Sequence, residues 1–157
     1  MKKILSLLAL VSILLLQGCL KDKTPCINKT VASEEATMQA YANTHNITYI
    51  RHPSGLYYQV ISQGTGNPVN INSRVSVTYT GKLLDDTVFD QATSPTQFYP
   101  VTGFITGWQI GLTFLNKGGT IRLLIPSSLA YGCTDAGGGS IPGNSILYFD
   151  VTVSDVQ

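Results

Sequence analysis

Apolar and polar residues alternate with a period of two at three places in the chain, the pattern of strands that bury one face. Val75, Val77 and Tyr79 alternate with Ser76, Thr78 and Thr80. Ile121, Leu123 and Ile125 alternate with Thr120, Arg122 and Leu124, and Leu147, Phe149, Val151 and Val153 share one face of the stretch from Ile146 to Ser154. Tyr57 to Ser62 reads as a further strand closed by Gly64-Thr65-Gly66-Asn67-Pro68, and Leu84-Asp85-Asp86-Thr87 makes a turn before Val88-Phe89-Asp90. After Phe104 the period becomes helical. Trp108, Gly111, Leu112 and Leu115 fall at i, i+3, i+4 and i+7, an apolar face that begins with the only tryptophan. Lys117-Gly118-Gly119 is expected to end this helix, because a cation suits the negative helix terminus and glycine takes the left-handed cap conformation without penalty. Short turns, one short internal helix and no strand-helix-strand repeat predict an α+β fold, an antiparallel sheet with a helix against it.

A second helix is predicted ahead of the sheet. Ser33 reads as its N-cap, Glu34 and Glu35 sit at the positive end of its dipole, and it runs to about Asn43. Met38, Tyr41 and Ala42 are its apolar positions, so it is an accessory helix docked on the domain or a spacer. Leu20 to Ala32 is polar, contains Pro25, and reads as a tether.

Upstream, Lys2 and Lys3 precede an apolar run, Ile4 to Leu16, that is too short to span a bilayer comfortably. Residues 1–18 are therefore read as a lipoprotein signal peptide. Leu16-Gln17-Gly18-Cys19 resembles a bacterial lipobox, in which the cysteine is acylated and becomes the first mature residue. Each buried acyl methylene adds about 0.8 kcal/mol, so lipid on Cys19 would hold the mature chain on a membrane, periplasmic or surface-exposed in the bacterial cell envelope. Cleavage that leaves a free thiol, or an uncleaved anchor, is the alternative. The resulting plan is a leader at 1–18, a lipidated tether and accessory helix at 19–53, and a folded domain at 54–157.

Composition narrows the function. At 157 residues, 43% hydrophobic and 12% charged, the chain is sized for one globular domain plus an appendage. A net charge of +1 gives no basic field for nucleic acid and no acidic field for cationic partners. With Cys19 lipidated, Cys26 and Cys133 are the remaining thiols; export allows them to pair, and two separately placed cysteines is the other reading. His45 and His52 lack partners at ligand spacing and read as loop histidines, so no metal site is expected.

Several linked motifs resemble one family. Val75-Ser76-Val77-Thr78-Tyr79-Thr80-Gly81-Lys82-Leu83, Val88-Phe89-Asp90, Ile105-Thr106-Gly107-Trp108, Gly111-Leu112, Ala130-Tyr131-Gly132, Ile141-Pro142 and Leu147-Tyr148-Phe149-Asp150-Val151 are similar in order and spacing to FKBP-type peptidyl-prolyl isomerases, from about Ser54 to Val156. The resemblance implies about five antiparallel strands half-wrapped around a short helix, no cofactor, and an apolar cavity that admits a proline ring. Trp108 would be its floor. Tyr79, Phe89, Phe104, Ile105, Ile141 and Phe149 would be its walls, with Asp90 and Tyr131 at its rim. The catalytic set so implied is Asp90, Tyr131, Phe89 and Trp108; for Asp90, a turn residue capping backbone N–H groups is the other reading. The chain departs from the family at Gln97, where a second pocket phenylalanine is common, which implies a more open cavity. Asp86 replaces a frequent glycine, and the loop from Cys133 to Ser140 is glycine-rich and lacks the usual aromatic or histidine.

The chemistry suits these residue types. Rotation about an X-Pro bond crosses a barrier of ~18–20 kcal/mol and makes or breaks no bond, so neither nucleophile nor metal is required. A dry pocket disfavours the dipolar planar amide relative to the twisted one, while rim hydrogen bonds fix the chain. Tyr131 would donate to a substrate carbonyl and Asp90 would orient the pocket. The implied partners are proline-containing unfolded or exported polypeptides and, through Cys19, a membrane; the chain is expected to be a monomer. A non-catalytic chaperone or peptide-binding module using the same pocket is the alternative.

Overall fold

A computed structural model of the chain describes residues 25–95 and 97–157; the expected signal peptide and the lipidation site at Cys19 lie outside them. Seven antiparallel strands form one sheet: β1 (Ile50–Arg51), β2 (Tyr57–Ser62), β3 (Arg74–Lys82), β4 (Val88–Ala92), β5 (Tyr99–Pro100), β6 (Thr120–Ile125) and β7 (Leu147–Val156). Their order is β1-β2-β6-β7-β3-β4, with β5 paired to β3. The five longer strands match the expected count; β1 and β5 are two-residue additions at the margins.

Long β3 and β7 lie side by side, pairing Val77 with Val153, Tyr79 with Val151 and Gly81 with Phe149. Their inward residues form one core with Ile121, Leu123 and Ile125 of β6. The short helix α2 (Thr106–Leu112) packs on this face through Gly107, Trp108, Gly111 and Leu112. Its closeness to β6 needs glycine: a Cβ on Gly111 would meet Leu123 Cδ2 at 2.5 Å. The helix is shorter than its period suggested. Phe114 N and Leu115 N bond back three residues, to Gly111 and Leu112, and this tighter turn lets Phe114 stack on Tyr58 at 4.5 Å while Leu115 stays buried. Lys117 is therefore not a helix cap but pairs with Asp155 of β7 at 2.7 Å.

The opposite face of the sheet is covered by α1 (Val31–Thr44), which explains why Leu124 can be apolar on the face that otherwise carries Thr120 and Arg122. Met38, Tyr41 and Ala42 form a second core with Tyr57, Leu124, Ile146 and Tyr148. The N-cap is Thr30 rather than Ser33: the Thr30 hydroxyl accepts from Ser33 N, and Ser33 Oγ donates to the Thr30 carbonyl. Neither glutamate simply faces the dipole. Glu34 turns inward to Ser127, and Glu35 accepts from Arg51 and the Tyr57 hydroxyl, both at 2.8 Å. At its other end α1 meets the β3–β4 turn, where Asp86 adopts φ 65°, a left-handed conformation that aspartate tolerates. Asp86 accepts from the Tyr41 hydroxyl and pairs with His45 Nε2, each at 3.1 Å. Residues 25–30 are not a free tether. They lie along the loop after β6, where Cys26 and Cys133 are joined with Cα atoms 5.4 Å apart.

Candidate functional site

Between the concave face of the sheet and α2 lies a cavity of about 220 Å³, lined by Tyr79, Phe89, Asp90, Gly103, Phe104, Ile105, Trp108, Tyr131 and Phe149. Alternation delivers the walls: Tyr79 from β3 and Phe149 from β7 point to the same face, and Phe89 enters from β4. Trp108 sits at the start of α2, 4% exposed. Tyr79 and Phe149 meet the Trp108 ring edge-on, both with centroids 5.2 Å away at 86°, and Phe89 meets Phe149 at 5.5 Å and 89°. Such edge-to-face pairs add about 0.5–1.5 kcal/mol each beyond area burial, which favours this arrangement of the rings.

Phe104 and Ile105 reach the cavity through the 3-10 turn Val101–Gly103, anchored by fully buried Val101. Gln109 locks this approach by donating to the Phe104 carbonyl at 2.7 Å and the Thr102 carbonyl at 3.3 Å. Neither Gln109 nor the lining residue Gly103 stood out from the sequence; the one is an ordinary polar helix position and the other has no side chain to read.

The polar groups gather at one edge. The Tyr79 hydroxyl donates to Asp90 Oδ2 at 2.7 Å. Burial, and then the hydrogen bond and charge of Asp90, hold the Tyr79 phenol well above its ordinary pKa. Tyr131 is shifted the same way, by burial first and then by Asp90's charge. Both phenols are thus protonated donors at neutral pH. Tyr79 spends its proton on Asp90, whereas the Tyr131 hydroxyl has no partner among the described residues and its side chain is in a 43% exposed residue at the rim.

One expectation needs amending. Ile141 does not line the cavity: it is 3% exposed, packed into the core, because the glycine-rich stretch folds back and its backbone pairs with Ala136. Gln97 lines a wider hollow of about 490 Å³ that adjoins the aromatic cavity and shares Tyr79 and Phe104 with it. Its side chain accepts from the Tyr99 hydroxyl at 2.7 Å. His45 is held by Asp86 and the Tyr41 carbonyl, and His52 by Ser54; the described residues contain no cluster of side chains arranged to hold a metal.

An antiparallel sheet with a short helix on one face thus encloses an aromatic, tryptophan-floored hollow with the Tyr131 phenol at its rim. Residues 66–154 match the model of the FKBP-type peptidyl-prolyl cis-trans isomerases, and the chain belongs to that family. The chain is 45% identical over 106 residues to the FKBP-type 22 kDa peptidyl-prolyl cis-trans isomerase of Escherichia coli K12, covering 66% of this chain and 50% of that one. It is 42% identical over 112 residues to the macrophage infectivity potentiator of Trypanosoma cruzi, covering 69% and 56%. The chain thus spans about half the length of the curated relatives it matches. Among solved structures, FkpA from Escherichia coli superposes with a TM-score of 0.68 at 36% identity, covering 81% of this chain and 61% of that one. A peptidyl-prolyl isomerase from Pseudomonas syringae pv. tomato gives the same score at 28% identity, covering 83% and 98%.

Proposed function

We propose that this chain accelerates cis–trans exchange of X-Pro bonds in unfolded exported polypeptides, as a monomer held in the bacterial cell envelope by lipid on Cys19. The observation that carries the catalytic reading is the preformed cavity floored by Trp108 with the unpartnered Tyr131 hydroxyl at its mouth. A pyrrolidine ring seated on the indole, walled by Tyr79, Phe89, Phe104, Ile105 and Phe149, loses the water that stabilises the dipolar planar amide. The twisted amide, with its conjugation broken, loses less. Tyr131 donates to a carbonyl of the bound chain and fixes one side of the rotating bond. Asp90 does not exchange a proton; by accepting from Tyr79 it holds that wall in place. The leader-like sequence at 1–18 and the joined Cys26 and Cys133 support an exported location, since disulfides persist in oxidising compartments.

The catalytic reading is tested with a proline tetrapeptide started in its cis form: the full chain should speed its exchange, and Phe89→Ala should remove most of that effect with the fold retained. Absence of acceleration by the wild type would sink it. Intact mass and membrane fractionation test the anchor, with acyl mass on Cys19 expected. A second reading, a module that holds extended peptides without catalysing, is favoured by the wide hollow beside Gln97, which offers contact area away from the proline site. Slowed aggregation of an unfolded client together with no acceleration would select it.

A further inference from the structure

No hydrogen bond among the described residues holds the Tyr131 hydroxyl, and the residue is 43% exposed. Its short loop, between Ser127 and Cys133, is closed by Gly132 N donating to the Ser127 carbonyl at 2.8 Å, and both ends of the loop are bound by the segment that precedes and starts α1. At one end, buried Ser127 donates its backbone N–H to Oε2 of Glu34 at 2.9 Å, across 93 residues of sequence. At the other, Cys133 is joined to Cys26, and its N–H donates to Asn28 Oδ1 at 2.8 Å. Asn144 completes the seam, giving its side-chain N–H to the Ile27 carbonyl and accepting from Lys29 N, both at 3.0 Å, while its own N–H donates to the Gly132 carbonyl at 2.7 Å. Gly132 makes this closeness feasible. It adopts φ +60°, and a Cβ there would lie 2.5 Å from Asn28 Oδ1.

Glu34 is the unexpected member. It is only 2% exposed, and a buried carboxyl group is costly where an apolar side chain would dock the helix as well. What an apolar residue lacks is a directed acceptor for one chosen N–H, and fixing one arrangement among several is the best-attested use of buried polar groups. Residues 26–34 lie outside the stretch that the family model matches, residues 66–154.

We propose that residues 26–34 form a strap that sets the position of the Tyr131 hydroxyl over the cavity, with Glu34 as its positioning residue. This rests on the reading of Tyr131 as the donor to bound substrate. Glu34 touches neither substrate nor cavity; it acts by holding the Ser127 end of the loop, as Asn28 and the Cys26–Cys133 link hold the other.

The test uses the full chain and two readouts, amide hydrogen exchange and kcat/KM on the proline tetrapeptide. In Glu34→Ala, exchange at Gly132 and Cys133 should quicken by about tenfold while amides of β3 and β7 keep their wild-type rates. Its kcat/KM should fall by about three- to tenfold, and that loss should vanish when the same change is made in Tyr131→Phe. Glu34→Gln, whose amide oxygen can still accept from Ser127 N, should restore both readouts. Asn28→Ala, an exposed position with no part in either core, should move both in the direction of Glu34→Ala, and decides the matter by the same criteria if Glu34→Ala does not fold. Unchanged exchange at Gly132 and Cys133, or an activity loss equal with and without the Tyr131 hydroxyl, overturns the proposal. A wild type that accelerates nothing removes the isomerase reading, while exchange still decides whether the strap holds the loop.

Discussion

Replacing both Cys26 and Cys133 by alanine removes a cross-link between residues 107 apart in sequence. Closing a loop of that length in the unfolded chain costs about 4.8 kcal/mol at 25 °C in the loop-entropy treatment, and removal of a native link measures in the range of about 2–5 kcal/mol. The upper end applies where the linked segments stay together in the native state, and here they are held by Asn28 to Cys133 N and by Asn144 to Ile27 and Lys29. For a domain of this size, with an unfolding entropy of about 0.3 kcal/mol per degree, the full loss corresponds to about 16 °C in Tm. Urea denaturation of the oxidised wild type and the double variant at pH 7, followed by tryptophan fluorescence, reads the difference directly, since Trp108 is the only tryptophan. A loss of about 2–5 kcal/mol is expected. A loss below about 1 kcal/mol would mean that the strap opens before the domain unfolds and that the link does not restrain the cooperative unit.

Tyr131→Phe deletes a hydroxyl that no described residue uses, so stability should be unchanged by urea titration, while kcat/KM should drop about two- to thirteenfold for the loss of one hydrogen bond worth about 0.5–1.5 kcal/mol. The His45–Asp86 pair should give the stability a pH dependence of known sign. The Tyr41 carbonyl and then Asp86 raise the His45 pKa, so its contribution is complete below the unfolded value of about 6.5 and fades as pH rises through the folded value. His45 lowers that of Asp86, whose contribution is present above its unfolded value of about 3.9 and fades as pH falls through the folded one. Denaturation midpoints measured from pH 5 to 9 should therefore decline toward the alkaline side more steeply in wild type than in Asp86→Asn, which keeps a side chain tolerant of φ 65°; identical slopes would remove the pair's role.

The strands were legible because a buried face repeats every second residue whatever lies opposite: Val75, Val77 and Tyr79, and Leu147, Phe149, Val151 and Val153, pack as their spacing requires. The aromatic cavity was legible only in combination, because the same aromatics taken singly are ordinary core filler. What stayed hidden depended on distant partners. Glu34 looks like a first-turn acid until Ser127, 93 residues away, supplies an N–H to it. Leu124 looks like an interruption of a polar face until α1 is seen to cover it. The period of α2 runs on to Leu115, but the helix ends at Leu112 and a tighter turn carries Phe114 onto Tyr58. Ile141 shares a motif with the family's pocket residues, yet the loop before it folds it into the core.

The tryptophan-floored cavity is tested most directly by following cis-to-trans exchange of a proline tetrapeptide with catalytic amounts of wild type and of Trp108→Leu, at a temperature where circular dichroism shows both folded. Uncatalysed exchange takes tens to hundreds of seconds. The wild type should shorten this markedly, and the variant should lose at least about tenfold of that acceleration, a change of about 1.4 kcal/mol in the barrier. Exchange at the uncatalysed rate with wild type, or a Trp108→Leu variant as fast as wild type, would show that the cavity is not where the bond rotates.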